Sequence, residues 1–221
     1  MLSRMPHDDL IGQVRLRAYD PAQRLRTVYV PLRWLVREYG QEASERVQHL
    51  RGNVSADPYS LDYEAALHAG ASEAVAFFRE APRQPPYPPV PPADLLASEA
   101  RIGCRLPELL RRVYTEIANG GFGPDYGILG ITPTGHREGG GTAAEVYEAF
   151  PAVSRRLGFP VAYGGCQLYW LVSLTKQDNP VCLWDEAGWN EWEHPIEAGI
   201  LLTVPSLAEW LQDWADGRDS W

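Results

Sequence analysis

The sequence predicts an α+β protein, in which a helical N-terminal segment precedes a mixed sheet flanked by helices. Three observations carry this. Before residue 81 the apolar residues recur with a 3.6-residue period, the mark of amphipathic helices. Residues 81–92 hold seven prolines in twelve positions, which neither a helix nor a central strand tolerates. Beyond residue 92, helical stretches alternate with short runs of β-branched and aromatic residues.

The N-terminal helices have identifiable starts and stops. Asp20-Pro21 places an N-cap acid before a proline at the first helical position. Leu25, Val28, Tyr29, Leu32, Leu35, Val36 and Tyr39 then form one face, with a kink expected at Pro31 and an exit at Gly40. A second helix is expected from Glu42 to Leu50. A third, capped by Ser60, carries Tyr63, Leu67, Ala71, Ala74, Val75 and Phe78. These assignments give three parts: a helical segment over 1–80, a Pro-rich linker over 81–92 in extended polyproline form, and an α+β domain over 93–221.

In the third part, Asp94 caps a helix bearing Leu95, Leu96, Ala100 and Ile102. Leu106-Pro107 opens another with Leu110, Val113, Tyr114 and Ile117, and Asn119-Gly120-Gly121 ends it. Residues 126–131 read as strand. Thr142 and Glu145 form a capping box for a short helix to Phe150. Strands follow at 168–174, 181–184 and 199–204. Ser206 with Glu209 starts the last helix, which buries Leu207, Trp210, Leu211 and Trp214 and stops at Gly217.

Charge distribution excludes one class of partner. The net charge is −9, and the imbalance lies in residues 178–221, which hold ten acidic residues and only Arg218 as a base. A nucleic-acid binder concentrates lysine and arginine, because phosphate contacts supply most of its affinity. No direct nucleic-acid partner is therefore expected. No run is apolar enough for a membrane span. The first residues lack the apolar stretch of a secretory signal, and Cys104, Cys166 and Cys182 show no CxxC spacing, so a cytoplasmic location is expected.

Catalytic chemistry finds no local motif. The histidines at 7, 49, 68, 136 and 194 are scattered, and none sits at i+3 or i+4 from another. No metal, cofactor or catalytic residue is assigned on this basis. Gly139-Gly140-Gly141 precedes a helix but lacks the lysine of a phosphate loop, and Glu138 and Glu145 flank it.

The stretch after the proline run resembles the SUKH superfamily, the Smi/Knr-type domains that include fungal cell-wall regulators and bacterial toxin-immunity proteins. The resemblance covers about residues 93–217. It begins with Ser98-Glu99-Ala100-Arg101-Ile102-Gly103-Cys104-Arg105-Leu106-Pro107, where an acid-bearing helix leads into a Gly-x-x-Leu-Pro step. It runs through Leu109–Tyr114 and Ile117-Ala118-Asn119-Gly120-Gly121, resumes in the strands at 168–174 and 181–185, and ends at Ser206-Leu207-Ala208-Glu209-Trp210-Leu211. The Gly-rich stretch at 135–141 and the N-terminal segment fall outside it.

The resemblance implies a single α+β domain without catalytic apparatus. It implies a binding protein that occludes a cognate toxin, nucleases being among such toxins. A nuclease cleft is basic, so an acidic face would recognise it. The expected partner-binding residues are Asp185, Glu186, Trp189, Glu191, Trp192 and Glu193, acids interleaved with tryptophans, which are frequent hot spots. Trp184, inside a strand, is expected in the core. A regulatory or scaffold module of the Smi/Knr kind is the alternative, and a small hydrolase using the loop at 135–141 a third reading.

Overall fold

The computed structural model describes residues 7–23, 25, 29–31, 60–62, 85–190 and 192–218. The chain forms two compact units, one of residues 1–25 with 85–221 and one of residues 26–84. In the second unit, β1 (Tyr29–Pro31) pairs antiparallel with β2 (Ser60–Asp62). Ser60 thus lies in a strand instead of capping a helix, and Pro31 ends a strand instead of kinking one. The helices expected at 42–50 and 63–78 lie outside the described residues.

The first unit begins with a helix that the sequence reading does not anticipate. Helix α1 (Asp8–Tyr19) has Asp8 and Asp9 in its first turn, where the positive end of the helix dipole favours acids. Asp20 follows its end, and its carboxylate accepts the Ala22 amide, so Asp20 closes this helix and does not open the next. Leu10, Ile11, Val14 and Ala18 are buried at helical spacing. Arg112 reaches Asp8 at 2.9 Å, and the Tyr19 hydroxyl donates to the Ile117 carbonyl. The domain boundary therefore differs from the one expected at 81–92, because α1 shares the core of the C-terminal part.

The proline run is also part of this unit. In Pro85-Pro86-Tyr87-Pro88-Pro89-Val90-Pro91-Pro92 only Tyr87 and Val90 retain an N–H. Both are used: Tyr87 donates to Gly120 O at 3.1 Å and Val90 to Tyr114 O at 2.8 Å. The segment from 85 onward is a strap laid on the fold, where a free spacer was expected. A widened turn makes room for it. Helices α2 (Pro92–Ile102) and α3 (Glu108–Arg112) are followed by a π-helical turn, Val113–Ile117. There the Ala118 amide bonds to Val113 O, which leaves Tyr114 O free to accept from Val90.

The sheet-forming half follows α4 (Ala143–Ala149), whose capping box between Thr142 and Glu145 is complete. Strands β3 (Phe159–Gly165), β4 (Leu168–Val172), β5 (Val181–Asp185) and β6 (Ile200–Val204) form a sheet in that order. Every pairing is antiparallel, so the sheet is not mixed, although the α+β class holds. Helix α5 (Leu207–Ala215) closes the unit, with Ser206 accepting from the Glu209 amide. Residues 126–131 form no regular strand. They run beside β3 through an Ile128–Ala162 bridge and a Leu129-to-Val161 bond of 2.9 Å.

Cross-strand partners share a face of the sheet. Trp170, Leu183 and Leu202 stand opposite one another on β4, β5 and β6. On that face the Trp170 ring lies 5.7 Å from Trp210 of α5. Tyr169 and Trp184 occupy the other face, with the Phe150 ring edge-on at 5.2 and 5.5 Å. Trp170, Trp184 and Trp210 are fully buried, as expected for Trp184.

Two segments of the SUKH-like pattern have clear structural roles. Buried Glu99 accepts from the Leu106 amide at 2.9 Å and from Arg111 Nε at 3.1 Å, so the acid of α2 fixes the step into α3. Buried Asn119 accepts from the Ile131 amide at 2.8 Å and donates to Thr132 Oγ1 at 2.6 Å. Gly120 next to it has φ +79, and a Cβ there would stand 2.4 Å from the Ile128 carbonyl oxygen. Asn119→Ala is expected to cost about 2–4 kcal/mol, because it strands buried polar groups. Denaturant unfolding checks this, and a loss below about 1 kcal/mol would show that the loop is held by other contacts.

Candidate partner-binding face

The expected site residues lie at the end of β5 and in the loop leading to β6. Asp185 Oδ1 accepts from the Gly188 amide at 2.8 Å, a tight turn that redirects the chain after the strand. Trp189 then folds back. Its Nε1 donates to the carbonyls of His194 and Pro195 at 3.2 Å each, and its ring lies 5.9 Å from Trp184. Asn190 accepts the Trp192 amide on its side chain and the Glu193 and His194 amides on its carbonyl. The Gly-Trp-Asn-x-Trp sequence is thus a self-bonded loop anchored by an indole.

This geometry separates the six residues. Trp192 is 88% exposed and Glu193 is exposed, so both stand free for contact. Asp185 and Trp189 are half-buried and hold the loop's shape. Glu186 is half-buried, its amide bonded to Gln167 O at 3.1 Å, and burial pushes its carboxyl above the usual range. Glu191 lies outside the described residues.

A second carboxylate sits beyond the reach of any sequence motif. Glu138 opens the Gly-rich hairpin, where Glu138 and Gly141 exchange backbone bonds. Next to it Gly139 O accepts the Tyr169 hydroxyl at 2.5 Å, and Tyr163 lies 5.3 Å from Tyr169 and 5.6 Å from Tyr126. Burial pushes the Glu138 carboxyl from 4.5 up to about 7. A raised carboxyl pKa means that ionisation opposes folding. The penalty is full above pH 7 and is relieved as pH falls toward 4.5. Glu138→Gln is therefore expected to stabilise the protein at pH 8 by about 1 kcal/mol, after discounting for partial solvent exposure, and to be neutral near pH 4. Paired thermal melts at the two pH values check it, and equal effects at both would contradict it.

The hydrolase reading finds no support in this loop's arrangement. His136 Nε2 donates to the Tyr126 carbonyl at 2.7 Å, and burial lowers its pKa. Gly135 lies so close to Asn119 that a Cβ would stand 2.5 Å from the Asn119 side chain, a packing role for the glycine. Burial pushes the Cys104 thiol up and the Cys182 thiol up to about 11, away from the thiolate a nucleophile needs. Among the described residues, no group of three or more His, Cys, Asp or Glu side chains is placed to hold a metal ion. No helix among them is long and apolar enough to cross a membrane.

The sequence reading misses the exposed apolar residues of β6. Leu201 is 55% and Leu202 37% exposed in the strand expected at 199–204. The only available signal is order, since the last strand of a meander lies at an edge.

A four-stranded antiparallel meander with helices on both faces and an acidic, tryptophan-bearing loop after its third strand defines a small α+β domain. The chain belongs to the SMI1 / KNR4 family (SUKH-1), whose family model matches residues 89–213. The match agrees with the resemblance read from the sequence and includes Val90 of the strap. No curated protein and no solved structure matches the chain. Membership of this family is consistent with a protein-binding role.

Proposed function

We propose that the chain is an immunity protein that binds a cognate toxin with a basic active surface and occludes it without turnover. The observation that carries this reading is the charge distribution: residues 178–221 hold ten acids and one arginine, and the exposed Trp192 stands among them. Acidic charge on an interface raises the association rate with a basic partner and rejects acidic ones. An exposed tryptophan supplies the apolar anchor that such a face needs. Trp192 and Glu193 would meet the partner directly. Asp185 and Trp189 would hold the loop in shape, and Glu186 and Glu191 would add charge. A nuclease is the toxin class whose substrate demands such a basic cleft.

The test is a titration. The partner is captured on the full chain, identified by mass, and assayed with increasing amounts of the protein. Inhibition should end at one molecule per molecule of toxin, with the toxin recovered unmodified. Inhibition at far lower ratios, or a chemically altered partner, would mean turnover and would overturn the reading.

A further inference from the structure

We propose that the outer edge of β6 receives an extended, basic segment of the partner as a fifth strand. The inference rests on the binding reading above and names how the partner is held. The two sides of the sheet differ. The outer side of β3 is covered by residues 126–129, through the Ile128 bridge and the Leu129 bond. Among the described residues no strand pairs with the outer side of β6. An open edge presents a row of backbone donors and acceptors to any chain that can lie along it.

Two features fit this edge to one kind of occupant. First, it carries apolar side chains in the open: Leu201 and Leu202 are exposed, with the exposed, β-favouring Thr203 next to them along the strand. Leu201 is the extra residue of a bulge, since Leu202 pairs with Leu183 and Ile200 with Trp184. A bulge distorts the edge and discourages indiscriminate pairing. Second, both ends are acidic. Glu193 and Glu197 are exposed just ahead of the strand. Past its end, the Asp178 carbonyl accepts the Leu207 amide, and exposed Glu209 sits in the first turn of α5. No lysine or arginine occurs between Lys176 and Arg218.

A second copy of this chain is the wrong occupant. An antiparallel β6–β6 pair would set Glu197 of one copy near Asp178 and Glu209 of the other, and a parallel pair would set Glu197 on Glu197. Either brings like charges together. An extended segment with a β-forming centre and basic ends satisfies the backbone, the leucines and both acidic ends.

The experiment uses the full chain and two synthetic peptides. They share a centre of alternating valine and threonine, flanked by lysines in one and by glutamates in the other. The lysine peptide is expected to bind at least about tenfold tighter at low salt and to shift the backbone amide resonances of Ile200–Val204. The double variant Leu201→Lys/Thr203→Lys changes only exposed side chains. It should keep its circular dichroism and lose the lysine peptide by about tenfold, since lysine on an edge blocks strand addition. Equal affinity for the two peptides, no binding, or shifts that miss β6 overturn the inference. A dimer dissolved by the double variant would instead make a second copy the occupant and overturn it too. The captured partner separates this inference from the reading beneath it. If the double variant still binds that partner at the wild-type rate and inhibits it one to one, the edge inference fails and the immunity reading stands.

Discussion

A chain that starts at residue 93 is expected not to hold the native fold. It lacks α1, whose Leu10, Ile11 and Val14 are buried in the core of this unit. Burying such side chains contributes about 1.5–3 kcal/mol each, so the loss of these three removes roughly 5–9 kcal/mol. A domain of ordinary stability has only about 5–15 kcal/mol to lose. The cut also removes the strap, leaving the Tyr114 and Gly120 carbonyls without the Val90 and Tyr87 amides, and it strips Asp8 from the buried Arg112. The fragment should show weak near-ultraviolet dichroism and a broad melt. Joining residues 7–25 to 85–218 should restore a sharp transition, because these residues belong to one compact unit. A fragment from residue 93 with a cooperative, native-like melt would show that α1 is dispensable.

Reversing charge on the loop before β6 is expected to slow capture of the partner without unfolding the protein. Glu193 and Glu197 are exposed, so Glu193→Lys with Glu197→Lys alters the field and little else. Association at low salt should fall by about tenfold, and the difference should shrink at high salt, where charges are screened over ~3–8 Å. Trp192→Ala should act on dissociation instead, weakening the complex by about 2 kcal/mol if the indole is the anchor. Stopped-flow or surface kinetics separate the two. Asp185 is unsuited to this test because its carboxylate holds the Gly188 amide. Unchanged rates for the glutamate pair would move the interface away from this loop.

The parts of the fold legible in the sequence are those fixed by local chemistry. The Thr142–Glu145 box, the Ser206 cap and the strands β4 and β5 depend on residues adjacent in the chain. The parts missed depend on distant partners. Strand β3 contains Pro160 and bulges beside Val161 and Gly164, features that weigh against a strand until β4 is in place to pair with it. Helix α1 has acids in its first turn and apolar residues at helical spacing, but the adjacent Asp20-Pro21 start signal competes with it. The strap reads as a spacer because nothing local reveals that Tyr87 and Val90 donate to residues 114–120. In the site, Trp184 is readable as core from its strand. The division between anchored Trp189 and exposed Trp192 is set by carbonyls at 194 and 195, and no spacing rule contains it. Glu138 is invisible for the same reason, since its burial comes from tertiary packing.

Hydrogen exchange on the complex with the captured partner shows directly whether the partner sits on the loop and β6. Amide exchange should slow in residues 185–204, covering the loop and β6, with α2 and the strap unchanged. Protection confined to α1 or α2, with residues 185–204 exchanging as in the free protein, would contradict it.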